Sequence, residues 1–126
     1  MTEAKLQILV LDDEPIVGKR LKAALEKNGY EVEVFEDARE ALHRSDEKEF
    51  DIIVTDVRME EVDGIQVLEH VLERSARTKV IVITGYATVE VAREALAKGA
   101  FDFIAKPFKP DDLRQVIARA VAALKG

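Results

Sequence analysis

No cysteine and no tryptophan occur among the 126 residues, and proline and glycine are sparse, at three and six. Without cysteine there is no disulfide framework, thiolate metal site or cysteine nucleophile, and nothing requires an oxidising compartment. Few glycines and prolines beside 48% hydrophobic residues exclude collagen-like, low-complexity and wholly disordered chains. The longest apolar runs, Ile8 to Leu11 and Val80 to Ile83, fall far short of the roughly 18 residues that a membrane span needs. Met1 to Gln7 lacks the features of a secretory signal, so the expectation is a cytoplasmic chain with no membrane partner. A net charge of −6 argues against direct nucleic-acid binding. The acidic excess lies early in the chain, and the last third is mildly basic. The length suits one domain, taken as residues 1–126.

Short β-branched runs alternate with longer segments of helical period, the pattern of βα units around a parallel sheet. Leu6 to Leu11, Ile52 to Val54 and Lys79 to Ile83 read as central strands covered on both faces. Glu31 to Phe35 alternates acidic with apolar residues and is placed at the sheet edge; Phe101 to Ala105 is the last strand. Helices are expected from Pro15 to the Asn28-Gly29 stop, with Ile16, Leu21, Ala24 and Leu25 as the apolar stripe. Others are expected over Asp37 to about Ser45, Gly64 to Arg74, Thr88 to Lys98 and Pro110 to Leu124. Five such units make a doubly wound, flavodoxin-like α/β fold, with strand order 2-1-3-4-5 and helices on both faces.

Ligands of open α/β sheets bind beyond the carboxyl ends of the strands, so the residues just after each strand matter most. They are Asp12, Asp13 and Glu14 after the first, Asp56 after the third, Thr84 after the fourth and Lys106 after the fifth. With strands one and three adjacent, Asp12, Asp13 and Asp56 converge and repel unless a cation neutralises them. All-oxygen ligands without His or Cys favour a hard ion, Mg²⁺. Such a site suits a phosphoryl group, to which Lys106 offers an ammonium and Thr84 a hydroxyl. No Ser-His-Asp set or glycine-rich phosphate loop is present, leaving a carboxylate as nucleophile, with Asp56 best placed. His43 and His70 lie in helix patterns without partners at metal-ligand spacing and are read as surface or packing residues.

Asp12-Asp13, Asp56, Thr84 and Lys106-Pro107, spaced by successive βα units, resemble the receiver domain of two-component response regulators over essentially the whole chain. The resemblance implies that Asp56 is the phosphoacceptor, Asp13 a direct Mg²⁺ ligand, Asp12 a ligand through water, and the Arg58 backbone carbonyl the third protein ligand. It implies that Thr84 and Lys106 bind phosphoryl oxygens, that the Lys106-Pro107 bond is cis, and that Phe103 is the switch ring. Arg58 and Tyr86 would tune access of attacking water. The donor would be a sensor histidine kinase or phosphotransfer protein. The receiving partner would be an effector, an output domain or a second copy in a homodimer, engaged by the face of helix four, strand five and helix five. Slow self-dephosphorylation makes such a chain a signalling domain rather than a turnover enzyme. The segment Met59-Glu60-Glu61-Val62-Asp63-Gly64 departs from the common Met-Pro-x-Met-Asp-Gly loop. Asp56-Val57-Arg58-Met59 with Thr84-Gly85-Tyr86-Ala87-Thr88 is similar to receivers attached to AAA+ transcriptional activators.

Three rival readings bear on the same residues. A haloacid-dehalogenase-type phosphatase needs a second Asp two places after its nucleophile, where Arg58 stands. A flavodoxin-like carrier needs a Ser/Thr/Gly-rich loop after strand one, where two Asp stand. A receiver-like docking module independent of phosphorylation is the remaining alternative.

Overall fold

The computed structural model describes residues 5–56, 64–85 and 89–125. Five strands and five helices alternate: β1 (Gln7–Leu11), α1 (Pro15–Glu26), β2 (Glu31–Phe35), α2 (Ala38–Glu47), β3 (Ile52–Asp56), α3 (Gly64–Arg74), β4 (Lys79–Thr84), α4 (Val89–Ala97), β5 (Asp102–Ala105) and α5 (Pro110–Lys125). The strands form one parallel sheet in the order β2-β1-β3-β4-β5. β2 is therefore an edge strand, and its acidic outer residues discourage pairing with another chain. No helix among the described residues is long and apolar enough to cross a membrane.

Local chemistry explains the element ends. Pro15 starts α1, where its missing N–H costs nothing. The Asp37 carboxylate caps α2 by accepting from the backbone N–H groups of Arg39 and Glu40 at 2.7 and 3.4 Å. The turns after α1 and α4 contain Gly29 and Gly99 at φ of 90° and 105°, where a side chain would strain the backbone.

Strand alternation sorts the apolar residues into two layers. Leu9, Leu11, Ile53, Val80 and Val82 pack with Val67, Leu68, Val71 and Ala95 on the face covered by α2, α3 and α4. Ile8, Val10, Ile52, Val54, Ile81 and Ile83 pack with Leu21, Leu25, Leu113, Val116 and Ile117 beneath α1 and α5. Gly18 lets α1 approach β2, since a Cβ there would sit 2.5 Å from Val34 Cγ1. One stripe assignment needs correcting: Ile16 is 63% exposed. At 100° per residue it stands about 140° around the helix from Leu21, off the apolar face.

β3 and β4 run further than the sequence pattern suggests. Asp56 and Thr84 are the last residues of their strands, paired in register with Ile83 and Ala105. An apolar strand pattern stops where hydrophobicity stops and so leaves Asp56 and Thr84 just beyond the strands, whereas the hydrogen-bond ladder does not depend on the side chain.

Candidate phosphoacceptor site

The sheet alternation also sorts the polar residues. Counting on from Ile8 and Val10, and from Ile52 and Val54, Asp12 and Asp56 fall on the α1 and α5 side, and Lys106 follows Ile104 onto it. Thr84 follows Val80 and Val82 onto the opposite face, which it shares with Phe103. Phe103 pairs with Val82 and Thr84 with Ala105, so the ring and the hydroxyl are diagonal neighbours across β4 and β5. Two backbone bonds carry the ladders to the rim: Asp12 N donates to Phe35 O at 3.1 Å, and Lys106 N donates to Thr84 O at 2.8 Å.

At that rim one carboxylate oxygen each from Asp12, Asp13, Glu14 and Asp56 lies within 4.8 Å of the others. Asp12 is fully buried and Asp56 nearly so, while Asp13 and Glu14 are exposed. The Lys106 ammonium is set among them, 2.7 Å from Asp56 Oδ2, 2.9 Å from Asp12 Oδ2 and 3.0 Å from Glu14 Oε1. The contacts to Asp56 and Glu14 are aligned hydrogen bonds. That to Asp12 is close but unaligned, and among the described residues Asp12 Oδ2 has no hydrogen-bond partner. The Lys106-Pro107 peptide bond is cis. Thr84 is buried at the end of β4.

Burial pushes the Asp12 carboxyl up; a hydrogen bond from the Glu14 N–H and the Lys106 ammonium oppose this, and the Asp56 charge adds to it. For Lys106, burial works against the charge, but the carboxylates of Asp56, Asp12 and Glu14 beside it outweigh this and hold the ammonium above the ordinary lysine value. Among the described residues, four carboxylates against one ammonium leave the rim negative. A buried oxygen without a hydrogen-bond partner, in an all-oxygen donor set, fits a hard divalent cation such as Mg²⁺.

Asp12, Asp13, Asp56 and Lys106 thus meet at one point, with Thr84 and Phe103 together on the opposite face of the sheet. Arg58 and Tyr86 lie outside the described residues. Asp12 also does the local work expected of an Asp before a helix, since its Oδ1 accepts from Glu14 N at 2.9 Å. Sequence reasoning gave Glu14 no role; the signal was its place in Asp-Asp-Glu-Pro, one residue before the helix-starting proline. Glu14 and Lys106 also border a cavity of about 530 Å³, lined further by Val17, Arg20, Pro107 and Phe108. His70 sits away from the rim, bonded to Asp46 Oδ1 at 3.0 Å between α3 and α2.

The response regulator receiver domain model matches residues 8–118. The chain is 41% identical over 115 residues to regulatory protein AtoC of Escherichia coli K12, covering 91% of this chain and 25% of that protein. It is 38% identical over 122 residues to transcriptional regulatory protein ZraR of the same strain, covering 97% and 28%. It therefore spans about a quarter of the length of these curated relatives. Among solved structures, a CheY-like receiver domain protein from Methanospirillum hungatei JF-1 superposes with a TM-score of 0.93 at 30% identity, covering 97% of this chain and 98% of that one. A beryllofluoride-activated NtrC4 receiver domain dimer gives 0.89 at 36% identity, covering 94% and 98%. Fold, rim geometry and relatives agree: the chain belongs to the receiver domain family of two-component response regulators.

Proposed function

We propose that residues 1–126 act as a phosphorylation-controlled switch, in which Asp56 accepts a phosphoryl group from the phosphohistidine of a sensor histidine kinase or phosphotransfer protein. The observation that carries this reading is the Asp56 carboxylate at the end of β3, 2.7 Å from the Lys106 ammonium and inside a cluster of four carboxylates. In the transfer an Asp56 oxygen forms a bond to phosphorus while the phosphorus–nitrogen bond to the donor imidazole breaks. The bonding pair stays on the ring nitrogen, and the product is an acyl phosphate. A loose phosphoryl transition state asks mainly for positioning and charge compensation.

Asp12, Asp13 and Asp56 would hold Mg²⁺, with the Arg58 carbonyl as a further ligand. Bound there, the ion supplies positive charge for the phosphoryl oxygens. Lys106 offers its ammonium to one of those oxygens and Thr84 its hydroxyl to another. Movement of Thr84 toward the phosphoryl group would disturb the face it shares with Phe103, and so the surface of α4, β5 and α5. That surface would engage an effector, an output domain or a second copy; the NtrC4 neighbour is a receiver dimer. Tyr86 would limit water at the acyl phosphate, leaving slow self-dephosphorylation as the reset, and Pro107 would fix the turn that carries Lys106. The similarity to regulatory protein AtoC and transcriptional regulatory protein ZraR supports a role in transcription regulation, which we read, with the motifs after β3 and β4, as that of the receiver of a cytoplasmic AAA+ activator.

Incubation with Mg²⁺ and acetyl phosphate, followed by intact-mass measurement, tests the proposal. The wild type is expected to gain one phosphoryl group and Asp56→Asn none. An equal gain by the variant would move the acceptor elsewhere. No gain by either would favour a docking module.

A further inference from the structure

We propose that Glu14 is a positioning residue that latches Lys106, so that the ammonium reaches a phosphoryl oxygen only when Glu14 lets go. The inference rests on the phosphoacceptor reading and adds to it a residue that sets the rate of capture.

An ammonium has three N–H donors, and three carboxylates crowd this one. Two of its donors make aligned bonds, to Asp56 and Glu14, and Asp12 lies 2.9 Å away, so an incoming phosphoryl oxygen competes with these carboxylates for the ammonium, and the three are not equally easy to displace. Asp12 is fully buried 2.9 Å from the ammonium, so water cannot take the place of the lysine beside it, and losing that charge is costly. Asp56 is the reacting group. The Glu14 side chain is 62% exposed, so water replaces its lost contact at little cost.

The backbone beneath Glu14 keeps the latch in place. Its N–H donates to Asp12 Oδ1, and its carbonyl accepts from the N–H groups of Val17 and Gly18 at the start of α1. The carboxylate therefore projects from a held root toward Lys106. The aligned bond to Glu14 and the unaligned contact to Asp12 have one explanation: Glu14 draws the ammonium off the Asp12 axis and toward the open cavity that both residues border. Release of Glu14 returns that donor to the rim.

The test uses the full chain with saturating Mg²⁺ and acetyl phosphate, comparing wild type, Glu14→Gln and Glu14→Asp. Gln removes the charge; Asp keeps a charge but is one methylene too short to hold Lys106. Both variants are expected to raise the initial rate of Asp56 phosphorylation by about two- to five-fold, the range for loss of an exposed ion pair. Reductive methylation read by peptide mass supplies a second measure, with exposed Lys125 as internal reference. Modification of Lys106 relative to Lys125 is expected to rise in both variants. If Glu14→Asp behaves as wild type while Glu14→Gln is faster, simple charge repulsion explains the rate and the latch is overturned. Wild-type behaviour of both variants in either assay overturns it as well. A wild type that takes up no phosphoryl group marks failure of the acceptor reading instead, and Lys106 modification still decides whether Glu14 holds the lysine.

Discussion

Replacing Lys106 by Met isolates the electrostatic problem at the rim. The ammonium lies 2.7 and 2.9 Å from the buried Asp56 and Asp12 carboxylates, and its own side chain is only 18% exposed. At an effective dielectric near 20, each attraction is worth about 6 kcal/mol before desolvation, and burying the ions takes back several kcal/mol. Removing one partner of a buried ion pair typically costs about 3–5 kcal/mol. The lower end, about 3 kcal/mol, is expected here, because Asp13 and Glu14 are exposed and the Asp12 carboxyl, already raised by burial, can take up a proton. Since the Lys106 pKa is held above its ordinary 10.5, the stabilisation is complete at all lower pH and the full deficit shows at pH 7. The Asp12 carboxyl, already raised above 3.8 by burial, rises further without the lysine. A raised carboxyl favours the folded state as pH falls through its folded value, so the deficit of the variant shrinks in acid. Urea unfolding in EDTA at pH 7 and near pH 4.5 measures both. A variant as stable as wild type at pH 7, or a deficit that grows in acid, would refute the reasoning.

Two further outcomes are expected elsewhere in the fold. Gly18→Ala places a Cβ 2.5 Å from Val34 Cγ1 and should lower stability by about 1–3 kcal/mol through overpacking between α1 and β2, read as a lower urea midpoint with unchanged slope. The Glu33 carboxyl is held below its ordinary 4.5 by the hydrogen bond from Arg44 and then by Lys48, against burial. A lowered carboxyl stabilises the fold above the unfolded value and loses that contribution as pH falls through the folded one. Glu33→Gln should therefore be less stable than wild type at pH 7 and converge with it in acid, a comparison that urea midpoints across pH make directly.

Much was legible in the chain alone because periodicity and turn chemistry are local. The alternation of β-branched runs with helical stripes announced five βα units. The parallel order 2-1-3-4-5 is the one such a five-unit sheet with right-handed crossovers most often takes, and Pro15, Asp37, Gly29 and Gly99 marked element ends through their own backbone preferences. Residue type and position after the strands were enough to nominate Asp12, Asp13, Asp56, Thr84 and Lys106. Distances between side chains far apart in the chain carry no such local signal. That Lys106 stands among three carboxylates, that Asp12 Oδ2 is buried without a hydrogen bond, and that Glu14 shares the ammonium all depend on how β1, β3 and β5 align at one rim. The division of the rim between the two sheet faces, with the carboxylates and lysine on one and Thr84 and Phe103 on the other, likewise required the register, because a one-residue slip would have exchanged them.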